Sequence, residues 1–301
     1  MLPVTLIHIG LPKTGTTSLQ NHLNSPSNLL DGVHYCHYSP KPLVQSRCFA
    51  NAMGLGQDSG IALSPEAYLD RVSAAFENGA EVAIISDETL SQVDRIHSNR
   101  MRAFLMGLRE VSDVRIVMSV RPWFSWLESL INQSLKMGNF DPVSFDAGAV
   151  DHINKYPVDF HSIHKFYNNA AGGVRRDGQI PVHFIDQSQD ILTQFEAVAD
   201  RELFDRTSFE CRNLSPTIGK CLAMFASRHG IDAPVEDRGW QSFLSAADAD
   251  QLYARHKPWI QRLSKLIATP GLVDDYENFR PRADHTGALS YARELMTQPV
   301  R

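Results

Sequence analysis

Lys13 stands inside a turn bracketed by Gly10 and Gly15, and three hydroxyl side chains follow it, Thr16, Thr17 and Ser18. The turn joins a short apolar run, Val4, Leu6, Ile7 and Ile9, to a helical stretch that closes near Leu23. A run of this kind suits a strand covered on both faces. The glycines let the backbone approach a ligand closely. The free N–H groups and positive dipole end of the following helix favour an anion. The combination reads as phosphate-binding equipment.

The spacing Gly10–x4–Gly15 matches the opening of the nucleotide-binding P-loop, which continues with Lys and then Ser or Thr. Here Thr16 occupies the place of that lysine, and the cation lies three positions back, at Lys13. That displacement argues against an ordinary NTPase and for a related fold with a different anion. The stretch PKTGTTSLQ, Pro12 to Gln20, resembles the 5′-phosphosulfate loop of the sulfotransferase superfamily, whose donor is 3′-phosphoadenosine 5′-phosphosulfate (PAPS). The resemblance implies Lys13 on the bridging oxygen and sulfuryl group. It implies the N–H groups of Thr14, Gly15, Thr16 and Thr17, with the hydroxyls of Thr16, Thr17 and Ser18, around the 5′-phosphate.

A second segment, VRPWFSWLESLINQ from Val120 to Gln133, resembles the superfamily's 3′-phosphate motif, and its WLESL resembles bacterial members in particular. Arg121 at a strand end is followed eight residues later by Ser129 on the ensuing helix. Arg offers a rigid fork to a terminal phosphate dianion, and Ser129 adds a hydroxyl donor. Arg280 and Arg282 are weaker candidates for the same phosphate, with a solvated surface pair as the favoured reading.

Sulfuryl transfer to an alcohol or amine needs a group to take the acceptor's proton. In many relatives this group stands at the end of the strand that corresponds to residues 82–86. That strand runs here into Asp87 and Glu88. Glu88 is the first choice for the base and His34 the second, with Asp87 better suited to bonding loop backbone or Lys13. The aromatic, histidine-rich stretch His34, Tyr35, His37 and Tyr38 is a candidate wall for the acceptor, which the sequence leaves open among carbohydrate, lipid, phenol and peptide.

Positioning these groups requires alternating strands and helices. Strands are expected at Val4–Ile9, Glu81–Ser86, Val114–Val120 and Ile180–Ile185, with Pro181 placing the last near an edge or at a strand start. Helices are expected from Ser64, over Ser98–Val111, over Trp123–Met137, and at several later positions, including Ser245–Ile267 with a bend or break at Pro258. Residues 24–65 read as an irregular excursion. The alternation implies an α/β chain, a three-layer P-loop-like fold with a central, mostly parallel β-sheet flanked by helices. Ligands of such sheets bind at the carboxyl ends of the strands. One sulfotransferase-like domain is expected over residues 1–301, with a core over 1–200 and a helical part over 201–301.

The 301 residues carry a net charge of −5, so no overall basic field points to nucleic acid or an anionic membrane. The four cysteines form no C-x-x-C pair and no cluster suited to metal, and the reading is of free thiols in a reducing compartment. No run of apolar residues is long enough to span a bilayer. These features predict a cytoplasmic protein, and the resemblance implies an enzyme with PAPS as donor, adenosine 3′,5′-bisphosphate as product, a small-molecule or carbohydrate acceptor and no metal. The competing readings are a P-loop kinase or NTPase using Ile84–Asp87 to hold Mg²⁺, and a nucleotide-binding protein without catalysis.

Overall fold

A computed structural model of the chain describes residues 2–36, 53, 64–94, 96–138, 140–146, 152–153, 156–157, 160–170, 179–206, 217–231, 235, 240–267, 274–281 and 286–297. The chain divides into two compact units, Met1–Val120 with Ser162–Asn213 and Arg121–His161 with Leu214–Arg301. In order, the elements are β1 (Val4–His8), α1 (Thr16–Leu23), β2 (Val33–Tyr35), α2 (Pro65–Glu77), β3 (Val82–Ser86), α3 (Ser98–Val111), β4 (Asp113–Val120) and α4 (Trp123–Met137). There follow β5 (His152–Ile153), β6 (Tyr156–Pro157), α5 (Phe160–Ala170), β7 (Val182–Asp186), α6 (Ile191–Ala199), α7 (Ile218–Arg228), α8 (Ala246–Ser264), α9 (Tyr276–Phe279) and α10 (Ala288–Met296).

The first unit is built on a five-stranded sheet in the order β2-β3-β1-β4-β7, parallel at every pairing. The chain is therefore α/β, with a parallel sheet flanked by helices, as the strand–helix alternation requires. All five residues of β3 and four of five in β1 are buried, which is why both read as unbroken apolar runs. Leu6, Leu19, Ile84, Val117, Ile185 and Phe195 belong to one buried cluster. Each such side chain contributes about 1.5–3 kcal/mol when fully buried. The chain leaves β1 for β2 on one side and passes from β3 to β4 on the other. Strand order therefore reverses about β1, the place where parallel sheets open a crevice at their carboxyl edge.

Local chemistry sets several boundaries. Ser64 caps α2 by accepting from the Ala67 N–H, with Pro65 in the first turn. The last strand is an edge strand, and Pro181 just before it accepts from the Ile116 N–H at 3.0 Å. One strand of this sheet was not expected. Val33–Tyr35 lies in the stretch read as irregular, yet it pairs with Val82–Ile84 as the opposite edge. Three residues are too few to show alternation, and pairing with β3 decides their conformation.

In the second unit α4 packs against α7. Trp126 sits edge-on to Phe160, ring centres 4.7 Å apart. Glu128 on α4 accepts from the backbone N–H groups of Phe243, at 3.0 and 3.1 Å, and Leu244, at 3.3 Å, and from the Ser242 hydroxyl. Burial pushes its pKa up to about 7 against the pull of those donors. Helix α8 opens with a reciprocal capping box between Ser245 and Asp248 and runs without a break through Pro258. A bend or interruption was expected there. Leu252 and His256 before the proline and Ile260 and Leu263 after it are all buried, so packing on both sides of Pro258 keeps the helix from being interrupted.

Among the described residues no helix is long and apolar enough to cross a membrane. Cys36 and Cys221 are free and buried, their thiols pushed up to about 12 and about 11 by that burial. Cys48 and Cys211 lie outside the described residues, as do His37, Tyr38 and Arg282.

Candidate functional site

The loop after β1 is held mainly by β4. The Ile9 N–H donates to Val117 O at 3.0 Å, Leu11 N–H to Ser119 O at 2.9 Å, and Ser119 N–H back to Gly10 O at 2.6 Å. These bonds extend the strand ladder past His8 and deliver the turn at the carboxyl edge. Gly10, Lys13 and Gly15 all have positive φ, at 83°, 67° and 77°. For the glycines this conformation is free of strain. For Lys13 it is not, and a non-glycine residue held at positive φ tends to mark a functional loop.

Gly15 is the amino cap of α1, which has no side-chain cap and no acidic residue in its first turn. The helix end thus presents its dipole to an anion. The loop hydroxyls divide in their roles. Thr14 is buried and donates to Leu11 O, bracing the turn from within. Thr16 is buried and donates to Glu88 Oε2. Ser18 is buried, and Thr17 is exposed.

Thr16 and Glu88 therefore meet just past the ends of two adjacent strands, β1 and β3. A Cβ on Gly10 would lie 3.0 Å from both Cα and Cβ of Glu88, so the loop passes directly against that residue. Glu88 begins a short 3-10 turn, Glu88–Ser91, and is half-buried. Its neighbour Asp87 is buried and differently employed. Asp87 Oδ1 accepts from the Thr89 N–H at 3.0 Å and the Thr89 hydroxyl at 2.6 Å, capping its own turn.

Beneath the loop lies a polar network that the sequence reading missed. His8 is fully buried in β1, with Nδ1 2.8 Å from Ser86 Oγ on β3 and Nε2 2.7 Å from Ser119 Oγ on β4. Gln20 of α1 donates to Ser86 Oγ at 3.3 Å. Burial lowers the His8 pKa to about 3, so the imidazole is neutral, a donor through one nitrogen and an acceptor through the other. The signal available in the sequence was a histidine within an apolar strand, with serines near the ends of two other apolar strands.

His34 is not brought to this edge. It lies on β2 in register with Ala83, three residues before the end of β3 and so about 10 Å short of the strand's carboxyl end. It lines a separate cavity of about 450 Å³ with Arg71, Asn78 and Cys36. Partial cover and the Arg71 guanidinium lower its pKa.

In the second unit, Arg121 and Ser129 meet. Arg121 Nη1 donates to Ser129 Oγ at 2.7 Å, one helical turn and a half from the start of α4. This bond occupies an acceptor site of the hydroxyl and leaves its O–H to donate. Burial lowers the Arg121 pKa, and the Asp275 carboxylate acts the other way. Among the described residues no carboxylate forms an ion pair with Arg121. A half-covered guanidinium beside a free hydroxyl proton is a site made of donors alone. Arg280 is committed elsewhere, its Nε and Nη2 each 2.9 Å from the two oxygens of Asp250.

No protein-family model matches the chain, and no curated protein matches it. Among solved structures, a sulfotransferase from Alicyclobacillus acidocaldarius is similar at 14% identity and a TM-score of 0.38, over 84% of this chain and 97% of that one. The Deinococcus radiodurans tunicamycin resistance protein is similar at 16% identity and a TM-score of 0.36, over 67% and 98%. Likenesses this distant carry no weight for activity or substrate.

Proposed function

We propose that the chain is a sulfotransferase that moves a sulfuryl group from PAPS to a hydroxyl or amine of its acceptor. The observation that carries this reading is the Arg121–Ser129 pair, a half-buried cation joined to a hydroxyl, with no ion-pair partner among the described residues. An ordinary nucleoside triphosphate site needs no such second anion fork, whereas a donor with a 3′-phosphate does. In the first unit, the uncapped amino end of α1 and the displaced Lys13 support the same reading.

The donor supplies a sulfur–oxygen bond that breaks as the acceptor's oxygen or nitrogen bonds to sulfur, leaving adenosine 3′,5′-bisphosphate. Lys13 stabilises charge on the oxygen that leaves with the phosphate. The N–H groups at the start of α1, with Thr17, hold the 5′-phosphate. Glu88 takes the proton the acceptor loses, with Thr16 fixing one of its carboxylate oxygens. His34 has no part in this step.

The test is calorimetric titration of the full chain with adenosine 3′,5′-bisphosphate, adenosine 5′-monophosphate and ATP, followed by transfer from labelled PAPS with Mg²⁺ chelated. Binding of the bisphosphate at least about tenfold tighter than the monophosphate, a difference of about 1.4 kcal/mol, is expected, with label passing to a hydroxyl or amine acceptor. ATP bound more tightly than the bisphosphate, or hydrolysed, overturns the reading.

A further inference from the structure

The first turn of α4 is capped from far along the chain. Pro122 stands at the cap position and supplies no side-chain bond, and the turn contains no acid of its own. Asp275 fills the role. Its Oδ1 accepts from the Phe124 N–H at 2.9 Å, and its Oδ2 accepts from the Ser125 N–H at 3.1 Å and the Ser125 hydroxyl at 2.9 Å. Asp275 is buried, 8% exposed as a residue.

The segment bearing Asp275 is secured on both sides. Asp274 accepts from the Tyr253 hydroxyl at 2.9 Å and from the Tyr276 N–H at 3.2 Å. The Tyr276 hydroxyl bonds to Asp250, which also holds Arg280 through two bonds. The rings of Tyr253 and Tyr276 lie parallel at 3.9 Å, and Phe279 stacks on Phe124 at 5.8 Å. Asp275 is thus a fixed acid bound to a helix end, not a surface residue that happens to reach it.

We propose that Asp275 is a positioning residue for the Arg121–Ser129 anion pair. It acts in two ways. It fixes the start of α4, and so the turn at Arg121 and Pro122 from which the guanidinium projects towards Ser129. It also consumes two main-chain donors at the amino end of α4, the Phe124 and Ser125 N–H groups, which would otherwise draw an anion to themselves. An anion at this end of the helix is left to the two side chains. The proposal rests on the reading of that pair as the 3′-phosphate site, and the test separates the two.

The experiment measures binding of adenosine 3′,5′-bisphosphate and adenosine 5′-monophosphate, which lacks the 3′-phosphate, to the full chain and to Arg121→Ala, Asp275→Ala and Asp275→Asn. The expected result is that Asp275→Ala weakens the bisphosphate about tenfold and leaves the monophosphate unchanged. Asp275→Asn, which keeps one accepting oxygen, falls between; it carries the test if the alanine variant does not fold. Equal weakening of both ligands marks a merely structural role and overturns the proposal. So does tighter binding of the bisphosphate, which would mean that repulsion by Asp275 outweighs positioning. If Arg121→Ala discriminates between the ligands and neither Asp275 variant does, the proposal alone fails. If Arg121→Ala does not discriminate either, the 3′-phosphate reading fails and this proposal with it.

Discussion

The Thr16 hydroxyl donates to Glu88 Oε2 across 72 positions of sequence, joining the first turn of α1 to the end of β3. The bond ties the residue that replaces the usual P-loop lysine to the acid proposed as base. A hydrogen bond to a charged group contributes about 1.5–3 kcal/mol, enough to hold the carboxylate in one rotamer.

Glu88→Gln keeps the shape and an acceptor for Thr16 but removes the proton-accepting charge. It is expected to lower kcat by about 10²–10⁴, the range for loss of a general base, with the affinity for adenosine 3′,5′-bisphosphate unchanged. Steady-state kinetics with labelled donor measure this. Full activity in the variant moves the base elsewhere.

Lys13 offers a way to separate chemistry from fold, because it is a lysine in a backbone conformation that suits glycine. Lys13→Gly relieves a strain of about 1–2 kcal/mol while deleting the amine. Its thermal midpoint is therefore expected to equal or exceed that of the parent, with transfer abolished. Lys13→Ala loses transfer without the gain in stability. Retained transfer in both variants removes Lys13 from the reaction.

His8 makes stability depend on acid. Its folded pKa, about 3, lies below its ordinary value of 6.5, so the unfolded chain binds a proton between these limits and the folded chain does not. The stabilisation is complete above pH 6.5 and is lost as pH falls from there towards 3. The loss runs at up to about 1.4 kcal/mol per pH unit, or roughly 2 kcal/mol by pH 5. Urea unfolding at pH 7 and pH 5 measures it, and His8→Gln should flatten the dependence. An equal slope in parent and variant assigns the acid sensitivity to other groups.

Much of this architecture was legible in local pattern. The apolar runs of β1, β3 and β4 gave themselves away because strands covered on both faces need unbroken hydrophobicity, and Ser64-Pro65 announced α2 through its capping chemistry. Arg121 and Ser129 were singled out by their resemblance to a 3′-phosphate motif; that the two side chains bond to each other was a finding of the structure. The edge strand at Val33–Tyr35 was not legible, because a three-residue strand has no pattern of its own. For the same reason His34 could be weighed as a base before its register with Ala83 set it about 10 Å short of the strand end.

What the sequence determined by itself was which groups stand together locally: an amine in a glycine-bracketed turn, hydroxyls at a helix start, an arginine at a strand end. These depend on near neighbours, and near neighbours are written in order. What only the tertiary structure decided was which distant groups hold them. Glu88 meets Thr16, His8 joins Ser86 to Ser119, and Asp275 caps a helix that starts 152 positions before it. Such pairings follow from strand order and helix packing. These bring together residues with no common periodicity, so no local window of sequence can contain them.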